Sequence, residues 1–441
     1  MKHNKTDLKK ALKNLLEDKN HAISYVYKDA KLKDQGSLKG SIYTLKDNYA
    51  TKDAISRASS LILENFQPHY DATIRTLLDN AGATLIAKTN LDEFGLGGSG
   101  EYSAFGLIKH PKNDKHLVGG SSSGAAATFS DEITFAIGSD TGDSVRKPAS
   151  NIGKVGFKPS YGAISRFGLF AFATSLDTVA YFTHNIYDAA LLSSVLFKQD
   201  LEHDLSSVKV EFSAKKIKSV KPKTIAYLDC FDLLEKSVKK AYENLIKKLE
   251  KEGIKLAKIK PDETLLNSID VLYKVIAFSE ASSNLANLDG LKFGVQKEDK
   301  DWSQTFIKTR SEKLGKMVQS RLILGSYFLE HNNQIKYFLK AKKMRRYLAN
   351  YFTEIHTKYD LFIYPASNDV APLIGKEYKP SYMDFILTNS NLTGNPSITF
   401  KLGENEEKLP FNIACDGKIY EDQKLLNFAL YIEEILGGKH D

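Results

Sequence analysis

Between Leu117 and Pro159 the chain reads LVGGSSSGAAATFSDEITFAIGSDTGDSVRKPASNIGKVGFKP, two Gly/Ser clusters divided by a single apolar run. Small residues let backbone approach a ligand closely, and clustered hydroxyls can act as nucleophiles or proton relays. A reaction centre built around a buried strand is the first expectation. A serine nucleophile needs a base, and charge developing on the attacked carbonyl needs N–H donors aimed at it. The histidines are scattered, and none accompanies a G-x-S-x-G elbow. Lysine can serve only when neutral, which at its ordinary pKa happens on the order of 0.1% of the time at neutral pH. Burial must therefore lower it, and Lys46, in KDN at the end of an apolar segment, is the candidate.

The rest of the chain frames these clusters. Thr6 and Asp7 precede an amphipathic helix carrying Leu8, Leu12, Leu15 and Leu16, and strands are predicted from Ala22 and through Ile42 and Leu45. Asp71 is expected to cap a helix ending at Gly82, and TLIAKT follows as a buried strand. A literal G-x-G-x-x-G at Gly95, Gly97 and Gly100 does not join a strand directly to a helix, so it does not read as a dinucleotide fingerprint. Ile133 to Ile137 is predicted as a strand, and residues 200–223 as a polar surface excursion. TIAYL precedes the clearest helix, with Leu234, Val238, Ala241, Leu245 and Leu249 at steps of three and four. A strand whose pattern slips before Ile259 comes next. Residues 262–356 read as largely helical. Strand signals return at DLFIYPA, PSITFKL and FNIACDG, before a last helix from Glu421 to Leu436. Strands at both ends with helices between predict an α/β fold, one large mixed sheet covered by helices on both faces, in a single domain spanning 1–441.

The three elements around the expected centre match a known pattern. Lys46-Asp47-Asn48, Gly119-Gly120-Ser121-Ser122 and Gly138-Ser139-Asp140-Thr141-Gly142-Asp143-Ser144 resemble the amidase signature family. The resemblance implies Ser144 as nucleophile, Ser121 as a relay on a cis peptide and Lys46 as base, with N–H groups of Thr141, Gly142 and Asp143 forming the oxyanion hole. EASSNLANLDGLKFG and SRLILGSYF are similar to the A-subunit branch of glutamyl-tRNA(Gln) amidotransferases. That branch implies glutamine as ammonia donor, with Arg345 and Asp384 gripping its carboxylate and amino group and Phe293 lining the site. It also implies B and C subunits as partners, ATP and Mg on the partner, no cofactor or metal in this chain, and Glu-tRNA(Gln) reached mainly through the partner. For the amino group, Glu421 and Asp422 are alternatives to Asp384, and Arg346 competes with Arg345. Asp143 stands where the family has glycine, as does Ser123, and Phe293 where it commonly has tyrosine. Rival readings are a free-standing amidase acting on other amides and a non-catalytic scaffold subunit.

Composition narrows the setting. With 42% hydrophobic and 26% charged residues the chain is globular. No apolar run approaches the roughly 18 residues of a membrane span, and no leader-like segment opens the chain, so a cytoplasmic location without membrane contact is expected. The formal charge of +8 is read as spread over Lys-rich helices and leaves direct nucleic-acid contact open. Cys230 and Cys415 lie outside any metal or redox spacing and are expected to be free thiols.

Overall fold

The computed structural model describes residues 1–377 and 379–438. Its strands are β1 (Ile23–Val26), β2 (Ile42–Lys46), β3 (Thr84–Thr89), β4 (Phe135–Asp140), β5 (Val155–Lys158), β6 (Thr178–Thr183), β7 (Thr224–Leu228), β8 (Lys255–Ile259), β9 (Leu361–Pro365), β10 (Ser397–Glu404) and β11 (Pro410–Asp416). They form one mixed sheet in the order β1-β3-β2-β4-β6-β5-β10-β11-β9-β7-β8. β2, β3 and β4 run parallel, as do β7, β8 and β9, and antiparallel pairs join the two groups. The late strands rejoin the early ones where β10 pairs with β5.

The helices are α1 (Leu8–Leu16), α2 (Thr73–Asn80), α3 (Ser123–Thr128), α4 (Arg146–Ile152), α5 (Ile186–Leu196), α6 (Lys236–Lys251), α7 (Glu263–Asn284), α8 (Trp302–Lys313), α9 (Lys316–Leu329), α10 (His331–Gln334), α11 (Lys340–Lys358), α12 (Asn389–Thr393) and α13 (Asp422–Ile435). They cover both faces of the sheet. Side chains alternate along a strand, so Tyr43, Leu45, Phe135 and Ile137 enter one core while Ile42 and Ala136 enter the other. Burial on both faces explains why β2 and β4 read as apolar runs rather than alternating ones.

Several local expectations change. Asp71 does not cap α2: its carboxylate accepts the Lys52 amide at 3.0 Å, and α2 begins after Ala72 with no side-chain cap. The strand expected from Ile133 to Ile137 starts two residues later and runs on to Asp140, so the second Gly/Ser cluster is itself partly strand. β8 pairs with β7 without the register break expected before Ile259; Leu256 and Ile259, three residues apart, instead face opposite sides of the sheet. The helix α5 has apolar residues all round and is buried, which removes the amphipathic signal that reveals a surface helix. Residues 200–223 run over the surface as a strap. Asp200 accepts hydroxyls of Thr73 and Ser165, and Asn427 of α13 receives the amides of Lys218 and Val220.

Candidate active site

The end of β2 sets the geometry. Alternation sends Lys46 and Asn48 to one side of the strand and Asp47 to the other. Lys46 is fully buried, and its Nζ donates to Ser121 Oγ at 2.8 Å and to Ser139 Oγ at 3.0 Å. Asn48 supports the same Ser139 hydroxyl at 3.0 Å. Asp47 pairs instead with buried Lys88 at 2.9 Å, which keeps its charge off the Lys46 ammonium. Desolvation pushes Lys46 down to about 7, and the charges of Asp92, Asp140 and Asp177 only partly oppose the shift. Lys46 is thus poised between protonation states at neutral pH.

Ser121 sits on a loop that a single carboxylate braces. The Gly120–Ser121 peptide is cis, as the resemblance implies. Asp92 donates its amide to Ser121 O at 3.2 Å, and its carboxylate accepts the amides of Gly98 (2.7 Å), Gly100 (3.1 Å) and Tyr102 (2.9 Å). A Cβ at Gly97 or Gly120 would collide with that carboxylate at 2.1–2.2 Å. The G-x-G-x-x-G glycines therefore wrap Asp92, which in turn shapes the Ser121 loop.

The loop that carries Ser144 follows β4. Ser144 is buried, and its carbonyl accepts the Ser122 amide at 3.1 Å, placing the two serine loops back to back. Among the described residues the N–H groups of Gly142, Asp143 and Ser144 have no protein acceptor, and neither has Ser144 Oγ a protein partner. Donors left free beside a serine can meet a developing oxyanion. Thr141 is fixed differently: its hydroxyl donates to Asp177 at 2.7 Å, and Asp177 also accepts the amides of Phe172 and Ala173. Asp143 is half-buried, and no side chain among the described residues hydrogen-bonds its carboxylate. Burial and the Asp140 charge push that carboxyl above the ordinary Asp range.

Arg146 holds the loop in place. It is fully buried and donates to Asp140 Oδ1 (2.9 Å), Gly142 O (2.8 Å) and Asn391 Oδ1 (2.7 Å), and to Leu387 O, Ser390 Oγ and Ser397 Oγ. Asp140 also accepts the Val145 amide at 3.0 Å, so it is a structural acceptor inside the turn. Sequence reasoning assigned Arg146 no role, although it lies two residues after Ser144, because its other partners come from more than two hundred residues away. Tyr273 of α7 was missed for the same reason. Its ring covers Gly142, where a Cβ would stand 3.2 Å from Cε2 and Cζ.

The expected glutamine contacts fall on the helical side. Arg345 of α11 donates to Leu392 O (2.6 Å), Ser175 Oγ (2.8 Å) and Ser175 O (3.0 Å), using three of its five N–H groups. Arg346 is exposed. Asp384 closes a capping box with Ser381 at 2.8 Å, four residues before Thr388, whose hydroxyl packs near Gly142. Asp422 is taken up by Ser160 and Glu421 by Lys418 and Lys424. Phe293 lies on the turn after α7, edge-on to Phe66. Among the described residues no cluster of His, Cys, Asp and Glu could hold a metal ion, and no helix is long and apolar enough to cross a membrane. Cys230 and Cys415 are buried free thiols.

A family model described as Amidase matches residues 5–426. The chain is 38% identical to the A subunit of the Mycoplasma genitalium glutamyl-tRNA(Gln) amidotransferase, over 99% of this chain and 94% of that one. It is 37% identical to the corresponding protein of Pseudothermotoga lettingae, over 91% and 87%. The crystal structure of the A subunit from Thermotoga maritima superposes with a TM-score of 0.81 at 31% identity, covering 97% of this chain and 90% of that one. An allophanate hydrolase of Kluyveromyces lactis shares the fold, at TM-score 0.82 and 24% identity, covering 98% of this chain and 70% of that one. Family model, relatives and fold agree: the chain belongs to the amidase family, in the branch of glutamyl-tRNA(Gln) amidotransferase A subunits.

Proposed function

We propose that this chain is the glutaminase subunit of a glutamyl-tRNA(Gln) amidotransferase, releasing ammonia from glutamine through Ser144, Ser121 and Lys46. The observation that carries the reading is the buried Lys46 amine on the Ser121 hydroxyl, beside a serine loop with free N–H donors. Ser144 Oγ attacks the side-chain amide carbon of glutamine. Its proton passes to Ser121 Oγ, and the Ser121 proton passes to neutral Lys46. The N–H groups of Gly142 and Asp143 receive the oxyanion, with that of Thr141 alongside. The relay then runs backwards to protonate the leaving nitrogen, and ammonia departs. Water repeats the cycle on the acyl-enzyme, so glutamine and water give glutamate and ammonia.

The two N–H groups that Arg345 keeps free can grip the substrate carboxylate, and an anion must hold the amino group. Asp384 is the proposed anion: it bonds only Ser381 and has no ion pair among the described residues, whereas Glu421 is paired with Lys418 and Lys424 and Asp422 is buried on Ser160. Phe293 offers a wall without a hydroxyl. In the complex, ammonia passes to a B subunit that holds Glu-tRNA(Gln) and supplies ATP and Mg chemistry, with a C subunit binding both; this chain carries no cofactor of its own. Purification of the assembled complex followed by a glutaminase assay tests the reading. A complex that releases glutamate from glutamine only when Ser144 is intact supports it, and one that hydrolyses other amides while ignoring glutamine points to a free-standing type of amidase.

Two outcomes follow from the geometry. Because Lys46 must be neutral to accept a proton and sits at about 7, kcat/KM for glutamine is expected to rise with pH through that value. An activity that stays constant across the same interval would remove Lys46 from the base role. The stability consequence has the same sign: the unfolded chain keeps this proton up to its ordinary pKa near 10.4, so between about 7 and that value stability rises with pH. Arg345→Ala is expected to raise KM for glutamine about 10- to 100-fold, the loss of a charge-assisted contact worth roughly 1.5–3 kcal/mol, with a smaller change for a small amide lacking the carboxylate. Equal KM values in wild type and variant would sink the assignment.

A further inference from the structure

The formal charge of the chain is not spread as its lysine-rich helices suggest. Between 209 and 260 there are 15 lysines, no arginine and 7 carboxylates, giving +8; the remainder of the chain is balanced at 47 of each sign. One unit of the fold therefore holds the whole net charge: the end of the surface strap, β7, α6 and the edge strand β8.

Within that unit the lysines are ordered. Lys236, Lys240, Lys247 and Lys251 of α6 fall within an arc of about 60° on the helix. The buried face, with Val238, Tyr242, Leu245, Ile246 and Leu249, is directly opposite. All four lysines are exposed, and among the described residues none is in an ion pair. Glu243 and Glu250 border the stripe on one side only. From first to last the stripe spans about 22 Å. Beyond its C-terminal end Lys223 and Lys255 stand side by side, joined by the backbone bond from Lys255 N to Lys223 O at 3.1 Å. Lysine on an edge strand such as β8 guards against edge pairing, but the α6 stripe lies off the sheet and needs another reason.

We propose that this stripe binds the phosphate backbone of RNA. The inference rests on the reading that the chain serves an aminoacyl-tRNA. A row of flexible point charges, without arginine forks or exposed aromatic rings, suits phosphates and not bases. The contact is therefore independent of base sequence and steeply dependent on salt. Such a surface would hold the tRNA body against this chain while the acceptor end is processed on the partner.

Binding of bulk transfer RNA to the full-length chain, titrated over a range of salt, tests this. Changing Lys236, Lys240, Lys247 and Lys251 to Gln together is expected to weaken binding at least tenfold at low salt. The slope of log K against log salt should fall by about 3. A control with the same charge change, Lys9, Lys13, Lys19 and Lys28 to Gln, should shift binding by less than about threefold, since contacts and not net charge carry the term. Equal losses in the two variants, or none in the first, overturn the proposal. So does wild-type chain that binds polyglutamate as tightly as tRNA at the same salt, which would identify an acidic protein surface as the ligand. Glutaminase activity of the assembled complex is measured on the same variants. If RNA binding follows the stripe but wild-type complex lacks glutaminase, the functional reading fails and the stripe stands; intact glutaminase with no stripe effect is the reverse.

Discussion

A Ser144→Ala chain is expected to lose glutaminase activity by a factor on the order of 10⁴ or more while keeping its fold, because the attacking atom is gone. The loss should fall on kcat, leaving glutamine affinity nearly unchanged, since Arg345 and the other proposed contacts remain. Wild-type enzyme quenched during turnover should carry a glutamyl group on Ser144, visible as a mass increase on the peptide containing it. Ser121→Ala should lose nearly as much as Ser144→Ala, and the double variant little more, since residues acting as one relay are not additive. The scaffold reading makes the opposite demand: equal activity in wild type and Ser144→Ala. The free N–H groups at Gly142 and Asp143 and the poised Lys46 weigh against a decayed centre. Asp143 keeps the backbone donor that a glycine would offer and adds a carboxyl whose ionisation burial disfavours, which limits its opposition to a developing oxyanion.

Arg146→Met is expected to have the largest effect on stability. Removing one member of a buried charge pair leaves Asp140 uncompensated, which costs about 3–5 kcal/mol, and the carbonyls of Gly142 and Leu387 lose their donor as well. Denaturant titration of the variant should show the midpoint falling with the slope retained. Arg146→Lys should recover little, because one ammonium cannot reach acceptors that a planar fork addresses in several directions. Activity should fall too, through the Ser144 loop: Arg146 binds Gly142 O, and a shift there misaims the neighbouring N–H donors. A variant with unchanged midpoint and full activity would show that Asp140 and Asn391 hold the loop without it.

Much of this centre could be read from local pattern. Lys46 follows apolar Ile42 and Leu45 in a strand, and Gly/Ser clusters flank β4, so the hydroxyl clusters and the candidate base are recognisable by residue type and position, while the division into nucleophile and relay is what the family resemblance implies. The clear period of α6 and the returning strands β9 to β11 were legible for the same reason, since periodicity encodes burial on one or two faces. Other features had no local signal. Asp71 has the residue type of a cap, but the Lys52 amide was a better-placed donor. The glycines at 95, 97 and 100 imitate a nucleotide loop, and only the position of Asp92 shows what they enclose.

Which serine attacks and which relays is implied by the family resemblance; the sequence by itself determined that two hydroxyl clusters flank one strand, that an amine ends another, and that the amine must be buried to work. That much follows from residue type and strand periodicity, which are properties of short segments. The tertiary structure alone decided how the amine is tuned and how the loop is held. The pKa of Lys46 depends on its desolvation in the packed interior and on charges from Asp92, Asp140 and Asp177. The grip of Arg146 depends on residues 387 to 397. Those partners are remote in sequence, and the packing that brings them together leaves no periodic trace in it.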